Sequence, residues 1–318
     1  MTRKTTLQAK LTTATTLIAE GELVAAEAVL QALTDDPDRG YLGPETALGL
    51  PRRLQAAWLK LAKARSDRRA KTALQYHLIP PPAQLADLFR PTNASLQATT
   101  LAAAAPVPRV LHQVWIGQTA PETTDAWRDH AARHGWDYRL WDIAALTQLG
   151  VADHPTFQNR MAAGDLPGAV DVARYAILSA QGGLYLDCDW MPVTDQPFQA
   201  RIPMAGLSAM AEATPRLTGS GSPFLNNSII AAPKGHPAMA HLLETLPEVL
   251  VRIPKGPAWW VTGPLVFTLA ARMGPVNVLD AALEAGMLTG DRAAVDAALA
   301  DLRASGSPAY LAGWKPWG

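Results

Sequence analysis

Apolar residues recur at helical spacing near the start of the chain. They fall in two groups, residues 7–18 and 23–30, which the polar segment Glu20-Gly21-Glu22 separates. This pattern predicts a hairpin of two helices.

The pattern continues with a second helical stretch, predicted from about Pro51 to Leu74. The segment "IPPPAQ" (79–84) prevents its continuation, because proline lacks an amide donor and restricts the residue before it. Residues 90–108 are rich in alanine and flanked by proline, which is typical of a linker or a loosely packed helix. We therefore expect a helical region and linker over residues 1–105 and a second domain over residues 106–318.

From residue 109 onward, short β-type runs alternate with helical segments. The strands are predicted at 109–117, 136–142 and 227–233, and the helices at 123–135, 164–183, 237–246 and 291–306, with another helix opened by "TGP" (262–264). This alternation predicts an α/β domain with a mostly parallel sheet flanked by helices.

The composition narrows the class of protein. The 318 residues are 48% hydrophobic, and 28 basic side chains balance 28 acidic ones, which argues against both global disorder and nucleic-acid binding. A single cysteine precludes an internal disulfide, and no long uninterrupted apolar run predicts a membrane span. We expect a cytoplasmic protein with at most peripheral contact to the inner face of the membrane, and interpret the basic run 60–71 as a solvated helix face.

The segment "GGLYLDCDW" (182–190) contains the strongest candidate chemistry. If it is extended, Tyr185, Asp187 and Asp189 face one side, while Cys188 faces the core. Two carboxylates one strand repeat apart lie roughly 7 Å apart at their Cα atoms and repel each other unless a cation lies between them or one of them is protonated. Oxygen ligands of this kind suit Mg²⁺ or Mn²⁺.

Other chemistries have weaker support. The predicted inward orientation of Cys188 disfavours a reactive thiol. His130 and His134 are four residues apart on a predicted helix, but "HAARH" lacks the glutamate of zinc proteases, so we interpret the pair as part of a solvated helix face. No G-x-S-x-G motif indicates a serine nucleophile.

The predicted helix before the aspartates contains further polar residues that make the aspartate pair a more specific signal. Asp171, Arg174 and Tyr175 precede Gly-Gly and Tyr-x-Asp-x-Asp in "DVARYAILSAQGGLYLDCD". This combination resembles the signature of the glycosyltransferases with a sugar-binding region containing a DXD motif, a family that includes bacterial capsule and lipopolysaccharide enzymes and fungal mannosyltransferases. The segments "RVLHQVWIGQTAPE", "GWDYRLWD", "NNSIIAAPKGHP" and "TGP" extend the resemblance over roughly residues 106–270.

The resemblance implies a GT-A (Rossmann-like) fold and a transfer that retains the configuration of the donor sugar. It implies that Asp189 binds Mn²⁺ or Mg²⁺ directly and that Asp187 contacts either the ribose or the metal through water. It further implies that Trp115 stacks on the nucleotide base and that Asp171 and Arg174 contact the donor sugar and ribose. The full set of nucleotide-sugar contacts implied is Trp115, Ile116, Asp171, Arg174, Tyr185, Asp187, Asn226, Asn227, Trp314 and Trp317.

Two points stay open at this stage. Either Asn226 or Asn227 matches the polar position near the leaving group, and Trp314 and Trp317 either cap the phosphates or only pack the C-terminal segment. Many relatives carry a histidine near the diphosphate in that segment, whereas the last histidine here is His241. The third metal ligand is therefore not assigned.

We expect a metal-dependent retaining transferase that moves a hexosyl group from a UDP- or GDP-sugar to a saccharide or glycolipid acceptor in surface polysaccharide synthesis. The alternative is a non-catalytic nucleotide- or glycan-binding module on a degenerate transferase fold. A third hypothesis, compatible with enzyme activity, is that the N-terminal helices serve as an arm for a protein partner.

Overall fold

The structure is a computed structural model that describes residues 2–46, 48–78, 82–211, 224–254 and 256–316. The described residues form two compact units, residues 2–78 and the residues from 82 onward. Each unit packs around an apolar core of its own. The functional division at residue 105 stays a prediction.

The first unit is helical. Its α-helices are α1 (Arg3–Ala19), α2 (Leu23–Thr34), α3 (Arg52–Ala64) and α4 (Arg68–Tyr76). The predicted hairpin is confirmed, since α1 and α2 pack together and join at Gly21, whose φ of +83° suits a glycine. The core between α1, α2 and α3 consists mainly of leucines, including Leu7, Leu30 and Leu61.

The single helix predicted over residues 51–74 is wrong, because the chain breaks it after Ala64. Ser66 adopts a left-handed φ of 55°, which ends α3. Asp67 then caps α4 by accepting a hydrogen bond from the Ala70 amide at 2.9 Å. Ser66 and Asp67, which cause this break, lie inside a run of basic residues. The helical spacing of that run predicted a continuous helix.

The second unit begins with a helix in the segment expected as a linker or a loosely packed helix, residues 90–108. Helix α5 (Asn93–Ala102) begins at a capping box between Thr92 and Ser95, which satisfies two backbone amides. Its Thr99 is buried, and the Gly206 amide donates to the Ala105 carbonyl at 3.0 Å. Of the two alternatives, the helix is therefore confirmed, and it packs into the second unit.

The remaining helices of the second unit follow in chain order, interleaved with the strands. They are α6 (Thr123–Arg133), α7 (Ile143–Gln148), α8 (Pro155–Ala162), α9 (Leu166–Gln181), α10 (Pro237–Arg252), α11 (Ala258–Val261), α12 (Pro264–Ala271) and α13 (Arg292–Ala304).

Among the described residues of the second unit, nine strands form two sheets. They are β1 (Val110–Val114), β2 (Asp137–Trp141), β3 (Gly183–Leu186), β4 (Trp190–Pro192), β5 (Ser208–Ala211), β6 (Leu225–Ala232), β7 (Asn277–Leu279), β8 (Glu284–Met287) and β9 (Leu311–Gly313). The larger sheet has the order β2-β1-β3-β6-β5-β7, and the smaller has the order β4-β9-β8.

The larger sheet is mixed. Strand β1 pairs in parallel with β2 and β3, and β5 pairs in parallel with β7, whereas β6 is antiparallel to both β3 and β5. Helix α9 packs against β1 and β3, α6 against β2, and α12 against β6. The predicted α/β class with flanking helices and an N-terminal helical region is confirmed.

The glycine pair that connects α9 to β3 has a steric reason. Gly182 has φ +66° and Gly183 has φ +109°, and a Cβ on Gly182 would come within 2.4 Å of the Lys234 amide nitrogen. On Gly183 it would come within 2.6 Å of the Val110 carbonyl oxygen. Only glycine fits at both positions, so the strand can begin directly beside β1.

Helix α6 differs from its predicted solvated face. His130 is completely buried, in edge contact with the rings of Trp127 and Phe198, although Arg133 beside it is exposed. Burial lowers the pKa of His130 to about 4. Within the described residues, no helix is long and apolar enough to cross a membrane.

Candidate functional site

The two aspartates lie in a turn at the carboxyl end of β3. The strand ends at Leu186, so the extended geometry expected through residue 189 is wrong beyond that point. Tyr185 and Asp187 nevertheless share a side, as predicted, because the Tyr185 hydroxyl donates to Asp187 Oδ1 at 2.7 Å. Both aspartate side chains are about one quarter exposed, at 26% for Asp187 and 25% for Asp189.

The backbone of this turn is fixed by three different parts of the chain. Gln113 Nε2 in β1 donates to the Asp187 carbonyl at 3.2 Å, and Thr123 Oγ1 at the start of α6 donates to the Cys188 carbonyl. The Trp314 amide, just after β9, donates to the Asp189 carbonyl at 2.7 Å. All three carbonyls of the motif are therefore satisfied, which holds the two carboxylates in a defined position.

Cys188 points into the core, as the sequence predicted. Its thiol is buried and contacts the Val114 carbonyl at 3.2 Å, and burial raises its pKa, so a nucleophilic thiolate is disfavoured. This contact also places the end of β1 directly beside the aspartate turn.

Arg174 connects the helix α9 to the aspartate turn. Its Nη2 atom lies 3.0 Å from Asp187 Oδ1 and 3.2 Å from Asp171 Oδ1, and its Nη1 atom donates to the Asn227 carbonyl. The guanidinium also lies over the Tyr185 ring, 4.7 Å from the ring centroid. One buried cation therefore compensates two carboxylates.

Asp171 is held by groups from two other segments. Asn227 Nδ2 donates to its Oδ1 atom and Thr262 Oγ1 to its Oδ2 atom, both at 2.8 Å. The Tyr175 hydroxyl donates to the Thr262 carbonyl at 2.8 Å and accepts from Asn227 Nδ2 at 2.9 Å. The roles of Tyr175 and Thr262 in this network were not identified from sequence, although both lie in segments that carry the family resemblance.

The electrostatics of the cluster follow from burial and from this pairing. Burial raises the pKa of Asp187 to about 7; the nearby Asp189 adds to the rise, and Arg174 opposes it. Burial also raises the pKa of Asp171, again opposed by Arg174. Although burial alone would lower the pKa of Arg174, Asp187 and the other acidic neighbours raise it above its ordinary value.

The C-terminal segment contacts the motif through a residue that the sequence analysis missed. Lys315 Nζ lies 3.6 Å from Asp189 Oδ2, and β9 brings it there by pairing antiparallel with β4, which follows the motif. The Trp314 side chain is buried and its indole donates to the Gly290 carbonyl at 3.2 Å. Trp317 lies outside the described residues.

The structure places the other candidate residues around the same end of the sheet. Trp115 and Ile116 directly follow β1, and both are partly exposed. The side chain of Asn227 joins the Asp171 network, whereas Asn226 Oδ1 accepts a hydrogen bond from the Ser228 amide at 2.7 Å. Of the two asparagines, Asn227 thus belongs to the buried cluster.

Comparison with known proteins bears on this site directly. Residues 133–204, which include Asp171, Arg174, Asp187 and Asp189, match the family model of the "Glycosyltransferase sugar-binding region containing DXD motif". Residues 133–204 are thus similar to this family of DXD glycosyltransferases, which supports the resemblance expected from the sequence signature.

Two individual proteins are similar to it. The chain is 26% identical over 178 residues to inositol phosphoceramide mannosyltransferase 3 of Schizosaccharomyces pombe, a match that covers 52% of this chain and 45% of that protein. The chain thus aligns with less than half of the length of this relative. The solved structure of PaToxG glycosyltransferase covers 71% of this chain and 87% of its own, at 16% identity and a TM-score of 0.41.

Proposed function

We propose that the protein transfers a hexosyl group from a UDP- or GDP-sugar to a saccharide or glycolipid acceptor, in a reaction that depends on Mn²⁺ or Mg²⁺ and retains the configuration of the donor sugar. The main support for the proposal is the turn at the carboxyl end of β3, which contains Asp187 and Asp189. Three hydrogen bonds to its carbonyls hold it in place. In α/β sheets, ligands bind outside the carboxyl ends of the strands. A role in surface polysaccharide synthesis follows from the resemblance.

The aspartate pair fits a divalent cation. Burial raises the pKa of Asp187 and the Asp189 carboxylate adds to the rise, so a cation between the two groups would relieve their repulsion. The Lys315 ammonium beside Asp189 Oδ2 already marks where a cation is favourable. A bound Mn²⁺ or Mg²⁺ would be held by Asp189 and Asp187, and would supply charge neutralisation for the diphosphate leaving group.

The protein side chains divide the remaining tasks. Trp115 and Ile116, next to the motif at the end of β1, are proposed to contact the nucleotide base. Asp171 is only 5% exposed and both its oxygens accept hydrogen bonds, so we assign to it and to Arg174 the positioning of Asp187. The donor sugar and ribose would then meet the outer edge of this buried cluster.

Lys315 is proposed to act on the leaving group. Its ammonium is half exposed and lies at the motif, where a diphosphate would come to rest against Asp189 and its metal. A fixed positive charge there stabilises the negative charge that grows as the bond between sugar and phosphate breaks.

The decisive experiment is a screen of UDP- and GDP-sugars for Mn²⁺-dependent hydrolysis. We expect one donor to be hydrolysed by the native protein and by Asp301→Asn, which removes an exposed carboxylate on α13. Asp189→Asn should lose the activity while keeping its circular dichroism spectrum. Full turnover by Asp189→Asn would contradict the proposal, and metal-dependent nucleotide binding without hydrolysis or transfer would favour the binding-module alternative.

A further inference from the structure

A second cluster of metal-ligating side chains lies at the carboxyl end of α6. His130 and His134 are one helical turn apart, with ring centroids 4.6 Å from each other. Asp195, three residues after β4, places its Oδ1 atom 3.7 Å from His130 Nδ1 and 3.5 Å from His134 Nε2. The three potential ligand atoms all lie within 4.8 Å of one another.

Two ring nitrogens of this cluster are buried without a hydrogen-bond partner in the described part of the chain, which is unusual in a protein interior. His130 Nδ1 and His134 Nε2 are buried, and neither makes a hydrogen bond within the described part of the chain. The side chain of His130 is 0% exposed. A buried polar atom without a partner is costly, so its retention calls for a ligand.

Neighbouring hydrogen bonds fix the state of the His130 ring. The Tyr310 hydroxyl must donate to the Gln196 carbonyl, 2.9 Å away, because a carbonyl only accepts. The same oxygen lies 3.0 Å from His130 Nε2 and is therefore free to accept the Nε2 proton. In the neutral ring the Nδ1 atom then carries a lone pair directed at the cluster, which is the arrangement that orients metal-ligating histidines elsewhere.

We propose that His130, His134 and Asp195 form a Zn²⁺ site, separate from the aspartate motif, with water as the fourth ligand. Two imidazole nitrogens and one carboxylate oxygen suit zinc, whose tetrahedral bonds of about 2.0–2.1 Å put neighbouring ligand atoms about 3.4 Å apart. The two distances to Asp195 Oδ1 are within a few tenths of an ångström of that spacing.

The site is distinct from the donor site because it lies at the other end of α6. Thr123, at the start of this helix, contacts Cys188 of the motif, whereas His130 and His134 lie two to three turns further on. At 1.5 Å per residue the separation along the helix is about 10–16 Å. Zinc here would tie the end of α6 to the loop after β4.

Arg133 is the charged neighbour that competes for Asp195. Its Nη2 atom lies 2.9 Å from Asp195 Oδ1, and its side chain is 52% exposed. A metal-bound carboxylate commonly keeps such an outer partner, and the exposed guanidinium is able to move to the other oxygen. Arg133→Ala is therefore expected to keep the zinc or to bind it more tightly.

The test uses the full chain, stripped with a chelator, dialysed, and titrated with Zn²⁺ against a chromophoric competitor. We expect one tightly bound zinc, retained by Asp189→Asn and by His77→Ala, which removes an exposed histidine of the first unit. His134→Ala, at a mostly buried position, and Asp195→Ala, at an exposed one, should weaken the site by more than the roughly 10–100-fold that the loss of an outer partner costs. Co²⁺ bound to the native protein should show the visible spectrum of a tetrahedral site.

Tyr310→Phe provides a second measurement, since it removes the oxygen that fixes the His130 ring. We expect a loss of zinc affinity of roughly 10–100-fold with the circular dichroism spectrum unchanged. The proposal is overturned if the native protein binds no zinc in competition with the chelator. It is equally overturned if zinc is lost in Asp189→Asn but kept in His134→Ala and Asp195→Ala.

Discussion

The buried Arg174 and the partly exposed Asp187 form an ion pair, 3.0 Å apart, between helix α9 and the turn that follows β3. The same guanidinium nitrogen also compensates Asp171, so the cation is shared between two carboxylates. Arginine suits this role because its fork presents several donors at once, which a lysine cannot reproduce.

Arg174→Ala should be strongly destabilising. It leaves two carboxylates with no cation beside them, and loss of one partner of a buried pair costs about 3–5 kcal/mol. Denaturant unfolding measures the effect. The control is Arg292→Ala, which breaks exposed pairs with Asp296 and Glu122 and should cost at most about 1 kcal/mol. Equal effects of the two substitutions would contradict this account.

Thr262→Val removes the hydrogen bond to Asp171 Oδ2 and should lower the free energy of unfolding. The valine is similar in shape but cannot donate to Oδ2, so the buried oxygen loses its partner at a cost of about 1–3 kcal/mol. Thr262→Ser keeps the hydroxyl and is expected to recover most of the stability in the same unfolding measurement. A valine variant as stable as the serine variant would argue against the bond.

Lys315→Ala should change metal binding and turnover in opposite directions. Removal of a positive charge 3.6 Å from Asp189 Oδ2 reduces repulsion, so Mn²⁺ should bind a few-fold more tightly. Turnover of the donor should fall, because the leaving diphosphate loses its ammonium, and Lys315→Arg should restore it in part. Isothermal titration and a nucleotide-release assay separate the two effects; a parallel loss of both would oppose the assignment.

The buried His112 makes stability depend on pH in the acid range. Its Nε2 atom donates to the Gly182 carbonyl at 2.9 Å, and Nδ1 accepts from the Trp141 indole at 3.1 Å, so only the neutral ring satisfies both bonds. Burial lowers its pKa from 6.5 to about 4. The unfolded chain thus binds the proton more strongly, and the contribution is full above about pH 6.5.

We therefore expect the free energy of unfolding to fall as the pH drops from about 6.5 to 4. The shift of His112 corresponds to at most about 3 kcal/mol. His130 and His236 shift in the same direction, also by burial, and add to the slope, whereas the raised pKa of Asp187 opposes it. Unfolding of His112→Asn at pH 7 and pH 5 checks the origin of the effect. A pH dependence as steep as that of the native protein would assign it to other groups.

Truncation should distinguish the two possible domain boundaries. A chain that begins at residue 82 keeps α5, which packs against α10 and buries Thr99, and should retain the thermal stability of the second unit. A chain that begins at residue 106 loses α5 and should melt several degrees lower, since 1 kcal/mol corresponds to about 2–4 °C at this size. Equal melting temperatures would favour the boundary near residue 105.

The parts of the fold that the sequence predicted are those with a strong local signal. The glycine pair ends α9 and begins β3 as expected, and Tyr185 and Asp187 face the same side as expected, although the strand ends at Leu186. The break at Ser66 was missed because a single left-handed residue outweighs a continuous helical pattern. The burial of His130 was missed because the charged side chains beside it suggested a solvated face.

The candidate site divides in the same way. Asp187, Asp189, Asp171 and Arg174 lie within 20 residues of one another and carry a recognisable spacing. Lys315 and Thr262 come from distant segments whose approach depends on strand pairing and helix packing. The local sequence does not predict such contacts. The pairing of β9 with β4, seen only in the fold, explains why Lys315 lies beside Asp189.

The three hydrogen bonds to the carbonyls of the aspartate turn have a consequence for refolding. Two of them join residues that are 74 and 65 positions apart, and the third connects Asp189 with Trp314. Contacts of such long range form late, because each must first close a long loop. Recovery of catalysis after dilution from denaturant should therefore lag behind the return of the helical circular dichroism signal. Turnover would then be measured only from the native state, because collapsed intermediates would have no activity.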